Sequence, residues 1–417
     1  MTQPGTTSPP SGERAASWRD ELRRQLAAIP AQRRRGLRSF APAATAATLE
    51  QPTANGSSTP LLDLASNNYL GLSRHPKVVA AAQAAAASQG LGAGASRLVS
   101  GSRPVHGELE AALAAWLGRE QVLLFPSGFQ ANLAAVGALA DRHSLVLADR
   151  LIHHSLLTGV RASGARLQRF AHNDLNDLGR RLQLARQARP GQRLLVLSES
   201  LFSMQGTSPD VGALAALCQG HGAALLLDEA HALGVLGPGG RGLGYGLNGA
   251  KGQGEIALLS GTFGKAFGSG GAFLAGDALV MEWLLQFSGP FRYTTALAPP
   301  LAAAALAALG QIQANPRGPA LLQRAKRWRS ALEAAGWPRP PGLGPILPLL
   351  VGDDGLALEL QQRLEAAGLL GVAIRPPTVP EGSARLRLVL RADLPLGSLE
   401  RLLTALGSPP GQNLPCS

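Results

Sequence analysis

Residues able to do chemistry are sparse in this chain, and most of them close short apolar runs. The densest set is Ser260-Gly261-Thr262-Phe263-Gly264-Lys265-Ala266-Phe267-Gly268, a single lysine among glycines directly after the apolar run 256–259. Lysine is a compact amine whose pKa falls on burial, so it can form a Schiff base with a carbonyl compound. The glycines let a flat ligand come close to the backbone. Taken alone, the stretch fits a solvated surface turn equally well. Asp228 closes another apolar run, with His231 three residues on. A buried carboxylate needs a cationic partner, and a protonated pyridine nitrogen is one: the aspartate keeps such a ring cationic and makes it an electron sink. Taken alone, Asp228 reads more readily as a helix cap than as a functional group. Ser127-Gly128-Phe129 opens an apolar helix, and backbone N–H groups at a helix N-terminus suit a phosphate. His153 and His154 follow a further apolar run, where an imidazole can stack on a flat cofactor. Ser203 and Thr262 can bond ring or phosphate oxygens.

The elements that must hold these groups follow from the same pattern. Apolar runs at 145–148, 194–197, 223–227 and 256–259 each end in polar residues, and helix-length segments separate them. Short buried runs alternating with helices predict a mainly parallel α/β sheet with helices on both faces. Ligands of such sheets lie beyond the carboxyl ends of the strands, where these polar residues fall. From about residue 299 the chain changes to two helices, a Pro/Gly boundary at 336–345 and a small α/β pattern over 346–406. Three parts are expected: an N-terminal tail, amphipathic helix and linker over 1–60, a large α/β domain over 61–298 and a smaller α/β domain over 299–417. Within the first part, residues 18–38 read as a helix that Pro30 breaks, with Arg33, Arg34, Arg35 and Arg38 on a solvated face. The Ala, Thr, Pro, Ser and Gly of 39–60 read as a linker or inserted loop.

Composition removes several function classes. The 417 residues carry a formal charge of +12, but the basic residues are scattered and Phe, Trp and Tyr total 4%, too few for a nucleic-acid stacking platform. No apolar run reaches the roughly 18 residues of a membrane span. Residues 1–16 lack a signal-peptide core, so a cytoplasmic location is expected, with organellar import a lesser alternative. Cys218 and Cys416 make neither a disulfide framework nor a metal site. Gly237-Pro238-Gly239-Gly240-Arg241-Gly242 matches a dinucleotide fingerprint by letter only, because of its proline and its place after a loop.

Taken in order, Asp228-x-x-His231 and Thr262-x-x-Lys265 resemble the α-oxoamine synthase family of pyridoxal-phosphate (PLP) enzymes, which has the aspartate-aminotransferase fold (PLP-dependent transferase fold type I). Ser66-Asn67-Asn68-Tyr69-Leu70-Gly71-Leu72, Leu201-Phe202-Ser203-Met204 and Arg375-Pro376-Pro377-Thr378-Val379-Pro380 carry the resemblance across almost the whole chain. The last motif, with 382–388 and Phe170-Ala171-His172-Asn173-Asp174, is most similar to the biotin-synthesis branch. That branch joins L-alanine to pimeloyl-CoA, or to a pimeloyl carrier protein, and releases CoA and CO2 to leave 8-amino-7-oxononanoate. A sibling such as glycine C-acetyltransferase is the alternative within the family, and a basic anion-binding α/β protein is the alternative outside it. Departures from the branch's usual pattern, at Ser200, Gln205, Glu229 and the long 39–60 stretch, miss the cofactor residues.

The resemblance implies that Lys265 holds PLP covalently and later acts as base, that Asp228 pairs with the ring nitrogen and that His153 stacks on the ring. His231 and Asn67 are then near its phenolic oxygen, while Gly128, Phe129, Ser203 and Thr262 line the cofactor. Arg38, His153, Thr378 and Arg387 are the implied substrate contacts. A homodimer with a shared active site is also implied, with Tyr293-Thr294-Thr295 reaching the partner's phosphate.

Overall fold

The computed structural model describes residues 17–45, 47–52, 56–249 and 254–409. The segment 1–16 of the expected N-terminal tail and Cys416 lie outside the described residues. The strands are β1 (Ala41–Pro42), β2 (Thr48–Pro52), β3 (Ser58–Asp63), β4 (Gln121–Phe125), β5 (Leu145–Asp149), β6 (Arg166–Phe170) and β7 (Leu194–Glu199). They continue as β8 (Ala224–Asp228), β9 (Leu258–Thr262), β10 (Ala272–Gly276), β11 (Ile346–Gly352), β12 (Leu369–Leu370), β13 (Val372–Ile374) and β14 (Ala384–Val389).

The central sheet has seven strands in the order β4-β10-β9-β8-β7-β5-β6. Strands β9, β8, β7, β5 and β6 run parallel, and β10 runs antiparallel to both of its neighbours. Its inner strands are apolar on both faces because both faces are covered. Alternate residues of one strand enter different cores: Leu145, Leu147, Leu225 and Leu227 pack on one side, and Val146, Ala148, Leu226 and Leu258 on the other. The predicted runs therefore form the middle of the sheet. Strand β6 escaped the sequence pattern because Arg166, Gln168 and Arg169 give it a polar edge, and β10 because it leaves a glycine pair immediately before it.

The described part of 39–60 is not a linker: it forms β1, β2 and the first half of β3, and β3 pairs in parallel with β12, Leu62 opposite Leu369. The half-buried Thr48–Pro52 strand lacks the apolar run by which sequence recognises a strand. The N-terminal helix is shorter than expected, Trp18–Ala27, capped by Ser17. A single 3-10 turn, Ala31–Arg33, follows Pro30, and Arg34 is already extended. Trp18, Leu22, Leu26 and Ile29 stay exposed on this chain. A three-stranded antiparallel sheet, β11-β14-β13, forms the C-terminal part.

Candidate active site

Strand register assembles the site. Glu199 at the end of β7 lies opposite Asp228 at the end of β8, and Asp228 lies opposite Ser260 of β9. Three polar residues thus form a row across the carboxyl edge of the sheet, the position expected for a ligand site. Beyond that edge is a cavity of about 230 Å³ whose walls include Asp228, Glu199, His153, His231, Thr262 and Lys265. Gly128 and Phe129 also line it. The Ser127 hydroxyl accepts only the Gln130 N–H, at 3.2 Å, so it leaves other first-turn donors of the Gly128–Leu139 helix without an intrahelical partner.

A hydrogen-bonded chain fixes Asp228 and His153 relative to one another. Asn132 Nδ2 donates to Asp228 Oδ2 at 2.7 Å and to Ser155 Oγ at 2.9 Å. Ser155 Oγ lies 2.7 Å from His153 Nδ1, which also accepts the Ser155 N–H at 3.3 Å. An Nδ1 that accepts assigns the ring proton to Nε2. The His153 backbone N–H donates to Glu199 Oε1 at 2.7 Å. On the other side, His231 Nδ1 is 2.5 Å from the Tyr69 hydroxyl, and Asn67 Oδ1 is 3.3 Å from that hydroxyl. Arg387 donates from Nη2 to Asn67 Oδ1 at 2.9 Å and from Nε to the Ser203 carbonyl at 2.7 Å.

Electrostatics follow from burial. Desolvation pushes the Lys265 amine down to about 8, with Asp228 and Glu199 pulling the other way and Arg387 adding to the depression. Among the described residues no hydrogen bond or ion pair engages its Nζ. Burial also holds His231 well below the ordinary histidine range, helped by the charge of Lys265, and lowers His153 against the pull of Asp228. Both rings are therefore neutral near pH 7. Burial raises Glu199 well above the usual carboxylate range, with Asp228 adding repulsion.

The structure brings Lys265, Asp228, His153, His231, Gly128, Phe129 and Thr262 together in one cavity. Thr262 also shapes the lysine turn, since its Oγ1 donates to the Gly271 carbonyl and accepts the Gly264 N–H. Ser203 is tied in through Arg387 rather than through that cavity. Arg38 and Thr378 line a different cavity, of about 540 Å³, together with Arg33, Arg34 and Arg35. There Arg35 Nη2 donates to Thr378 Oγ1 at 2.7 Å, whereas Arg38 is held by Glu365 and Gln51 at 2.7 Å each. Nor is this cluster a plain solvated face: Arg33 bridges Asp354 and Glu381. His154 lies outside the cofactor cavity, near the Phe129 ring. Sequence reasoning assigned no role to Glu199, Asn132, Ser155 or Tyr69. Glu199 had a usable signal, because it closes its apolar run just as Asp228 closes the next.

Fold and site together define a PLP-dependent enzyme, and the chain belongs to the aminotransferase class I and II family, whose model matches residues 59–406. It is similar to the 8-amino-7-oxononanoate synthase of Chromohalobacter salexigens, 44% identical over 350 residues that cover 84% of this chain and 89% of that protein. The 8-amino-7-oxononanoate synthase of Pseudomonas aeruginosa is 44% identical over 351 residues, 84% of this chain and 85% of that protein. A solved serine palmitoyltransferase from S. paucimobilis, with a bound PLP–myriocin adduct, superposes with a TM-score of 0.81 at 27% identity, over 88% of this chain and 91% of that one.

PLP is the cofactor, and the residues present fit it. The buried amine of Lys265 has no competing partner, a carboxylate faces it across the cavity, and a helix N-terminus with spare N–H donors stands at the rim.

Proposed function

We propose that the chain condenses L-alanine with a pimeloyl thioester and releases the thiol and CO2, giving 8-amino-7-oxononanoate for biotin synthesis. The observation that carries the reading is the buried, unpaired Lys265 amine facing Asp228 past His153, in a chain 44% identical to 8-amino-7-oxononanoate synthases over 84% of its length. When bound, PLP supplies an electron sink that lets bonds at the amino-acid Cα break. Lys265 Nζ would hold the cofactor at its carbonyl carbon and, as a free amine, would take the proton from the substrate Cα. An amine poised near 8 suits both tasks close to neutral pH. Asp228, oriented by Asn132 and by the Ala230 N–H at 2.8 Å, holds a proton on the ring nitrogen. His153, kept neutral and oriented by Ser155, would stack on the ring, and His231, held at Nδ1 by Tyr69, would lie near the cofactor's phenolic oxygen. Gly128 and Phe129 receive the phosphate, with Ser203 and Thr262 at the cofactor's edge.

The acyl chain's terminal carboxylate is assigned to the arginine-lined cavity beside Thr378, where a guanidinium fork suits it, and Arg387 to the junction between that cavity and the cofactor. A homodimer is supported by the unburied apolar stripe of the Trp18–Ala27 helix and by the exposed Tyr293. No helix of the described residues is long and apolar enough to cross a membrane, and we assign a cytoplasmic location. The division at residues 60 and 298 is kept as a proposal, with β3 linking the first part to the last.

The test is thiol release by the purified holoenzyme across acyl-CoA chain lengths and amino acids. Pimeloyl-CoA with L-alanine should be preferred and give 8-amino-7-oxononanoate. A preference for acetyl-CoA with glycine would replace this reading with the acetyltransferase one. A colourless protein that borohydride does not alter would remove the enzyme reading altogether.

A further inference from the structure

The glycine-rich stretch that imitates a dinucleotide fingerprint has no part in the reaction, yet it builds something. Gly237, Gly239 and Gly240 take positive φ angles of 75°, 63° and 72°, which favour glycine. A Cβ on Gly237 would lie 1.9 Å from the Gly242 carbonyl oxygen, so the loop folds tightly on itself. This loop walls a cavity of about 500 Å³, within the size range of small-molecule pockets. It is separate from the cofactor cavity and shares none of its lining residues. The loop lies between the two, since Gly234 comes three residues after His231 and a Cβ on it would be 2.9 Å from the Ala266 Cβ.

The facing wall is the Gly318–Ala334 helix. Leu322, Lys326 and Arg329 stand at i, i+4 and i+7, so one helix face offers an apolar side chain and two cations to the same space. Val235, Ile312 and Leu343 complete an apolar lining that contains no acidic residue. Arg329 is 2% exposed and has no carboxylate partner among the described residues. Its Nε donates to the Pro340 carbonyl at 3.1 Å, and its Nη2 to the Gly344 and Ile346 carbonyls at 2.8 and 3.0 Å. Among the described residues Nη1 is buried without any partner. Arg339, which also lines the cavity, is already held by Glu333 at 2.6 Å, whereas no ion pair among the described residues engages Lys326. A buried guanidinium with only carbonyl partners is an uncompensated charge, costly unless an anion completes it. Burial, aided by the nearby Arg339, pushes its pKa down to about 10, so it stays charged at neutral pH.

We propose that this cavity is a second ligand site, for a monocarboxylate with an apolar chain, whose carboxylate sits between Lys326 and Arg329 and whose chain packs on Leu322, Ile312 and Val235. The assignment is independent of which acyl group the enzyme transfers.

Equilibrium dialysis of radiolabelled octanoate against the full-length holoenzyme tests it. The expected result is saturable binding of one octanoate per chain, with octanol at least about tenfold weaker and octylammonium without binding. Leu322→Trp, which fills the cavity, should abolish binding. Lys326→Met, an exposed substitution that serves if the tryptophan disturbs folding, should weaken it about tenfold. Both variants should retain cofactor absorbance. The proposal is overturned if octanoate fails to bind at millimolar concentration or if octanol binds equally well. It is also overturned if neither substitution changes the affinity, which would place the octanoate in the acyl channel of the active site.

Discussion

The cofactor cavity and the arginine-lined cavity are built by opposite means. Around Lys265 the polar groups sit on or just after strand ends and are buried: Asp228 and His231 are 7% and 6% exposed and Glu199 is 3% exposed. Their spacing is set by the register of β7, β8 and β9. Around Thr378 the groups are long arginines on an irregular segment. They reach partners more than 300 positions away in the chain: Arg33 to Asp354, Arg35 to Thr378 and Arg38 to Glu365. The first arrangement holds atoms still, as proton transfer and ring orientation require. In the second, the part-exposed Arg38–Glu365 pair, 32% and 23% exposed, costs little to rearrange, whereas Arg33 is held by the buried Asp354. On the proposed reading, chemistry is thus fixed in the sheet, and acyl recognition is carried by adjustable side chains.

The hardest test of that division is Lys265→Ala. Loss of the anchor and base should lower kcat by about 10⁴-fold or more and remove the borohydride-sensitive absorbance, with folding retained. Substantial residual turnover would break the contrast, since the rigid cavity would no longer own the chemistry.

A pH test addresses the same residue without mutation. The folded-state pKa of about 8 lies below the usual lysine value, so the apo protein's amine is mostly charged below pH 8 and mostly free above it. Only the free amine attacks a carbonyl. The rate of covalent loading with PLP, followed by absorbance, should therefore rise about tenfold per pH unit below 8 and level off above it. A midpoint near the ordinary lysine value would mean that the cavity does not desolvate the amine.

The unevenness of what sequence revealed has the same origin. Lys265, Asp228, His231 and His153 were legible because a strand that ends in a polar residue leaves a one-dimensional mark. The central sheet was legible because strands covered on both faces read as apolar runs. Glu199 and Asn132 act through the neighbours that register and helix packing give them, and no linear pattern shows who those neighbours are. The strands in 41–63 stayed hidden because alanine, threonine and serine at a partly exposed edge carry little periodicity. The arginine cluster showed its charge but not its pairing: Arg35, in the extended backbone after the 31–33 turn, rather than Arg38, donates to Thr378.

Asn132→Ala sharpens the comparison inside the rigid cavity. It removes the amide that joins Asp228 to Ser155 and, through Ser155, to His153. The amide bonds Asp228 and Ser155, so the expected effect is one of positioning. A fall in kcat of about tenfold to a hundredfold is expected, with KM for the thioester nearly unchanged and a shifted cofactor absorbance maximum as the signature that a purely structural role would lack. Equal losses in kcat and thermal stability with an unshifted spectrum would assign Asn132 to folding instead.

The smallest expected effects lie in the adjustable cavity, and there the pairing of Arg35 with Thr378 makes a directional prediction. If these arginines face the acyl carboxylate as proposed, removing one of several should weaken binding without touching the reacting atoms. Arg35→Gln should raise KM for pimeloyl-CoA about threefold to tenfold with kcat unchanged, the pattern of lost uniform binding. Arg38→Gln breaks a contact with Glu365 and Gln51, both on the protein itself, and should change KM less than Arg35→Gln does. If Arg38→Gln has the larger effect on KM, its ion pair with Glu365 opens when substrate arrives. The arginine cluster would then exchange partners between the free and the bound enzyme, and the adjustability inferred from its exposed ion pairs would be a step in acyl recognition.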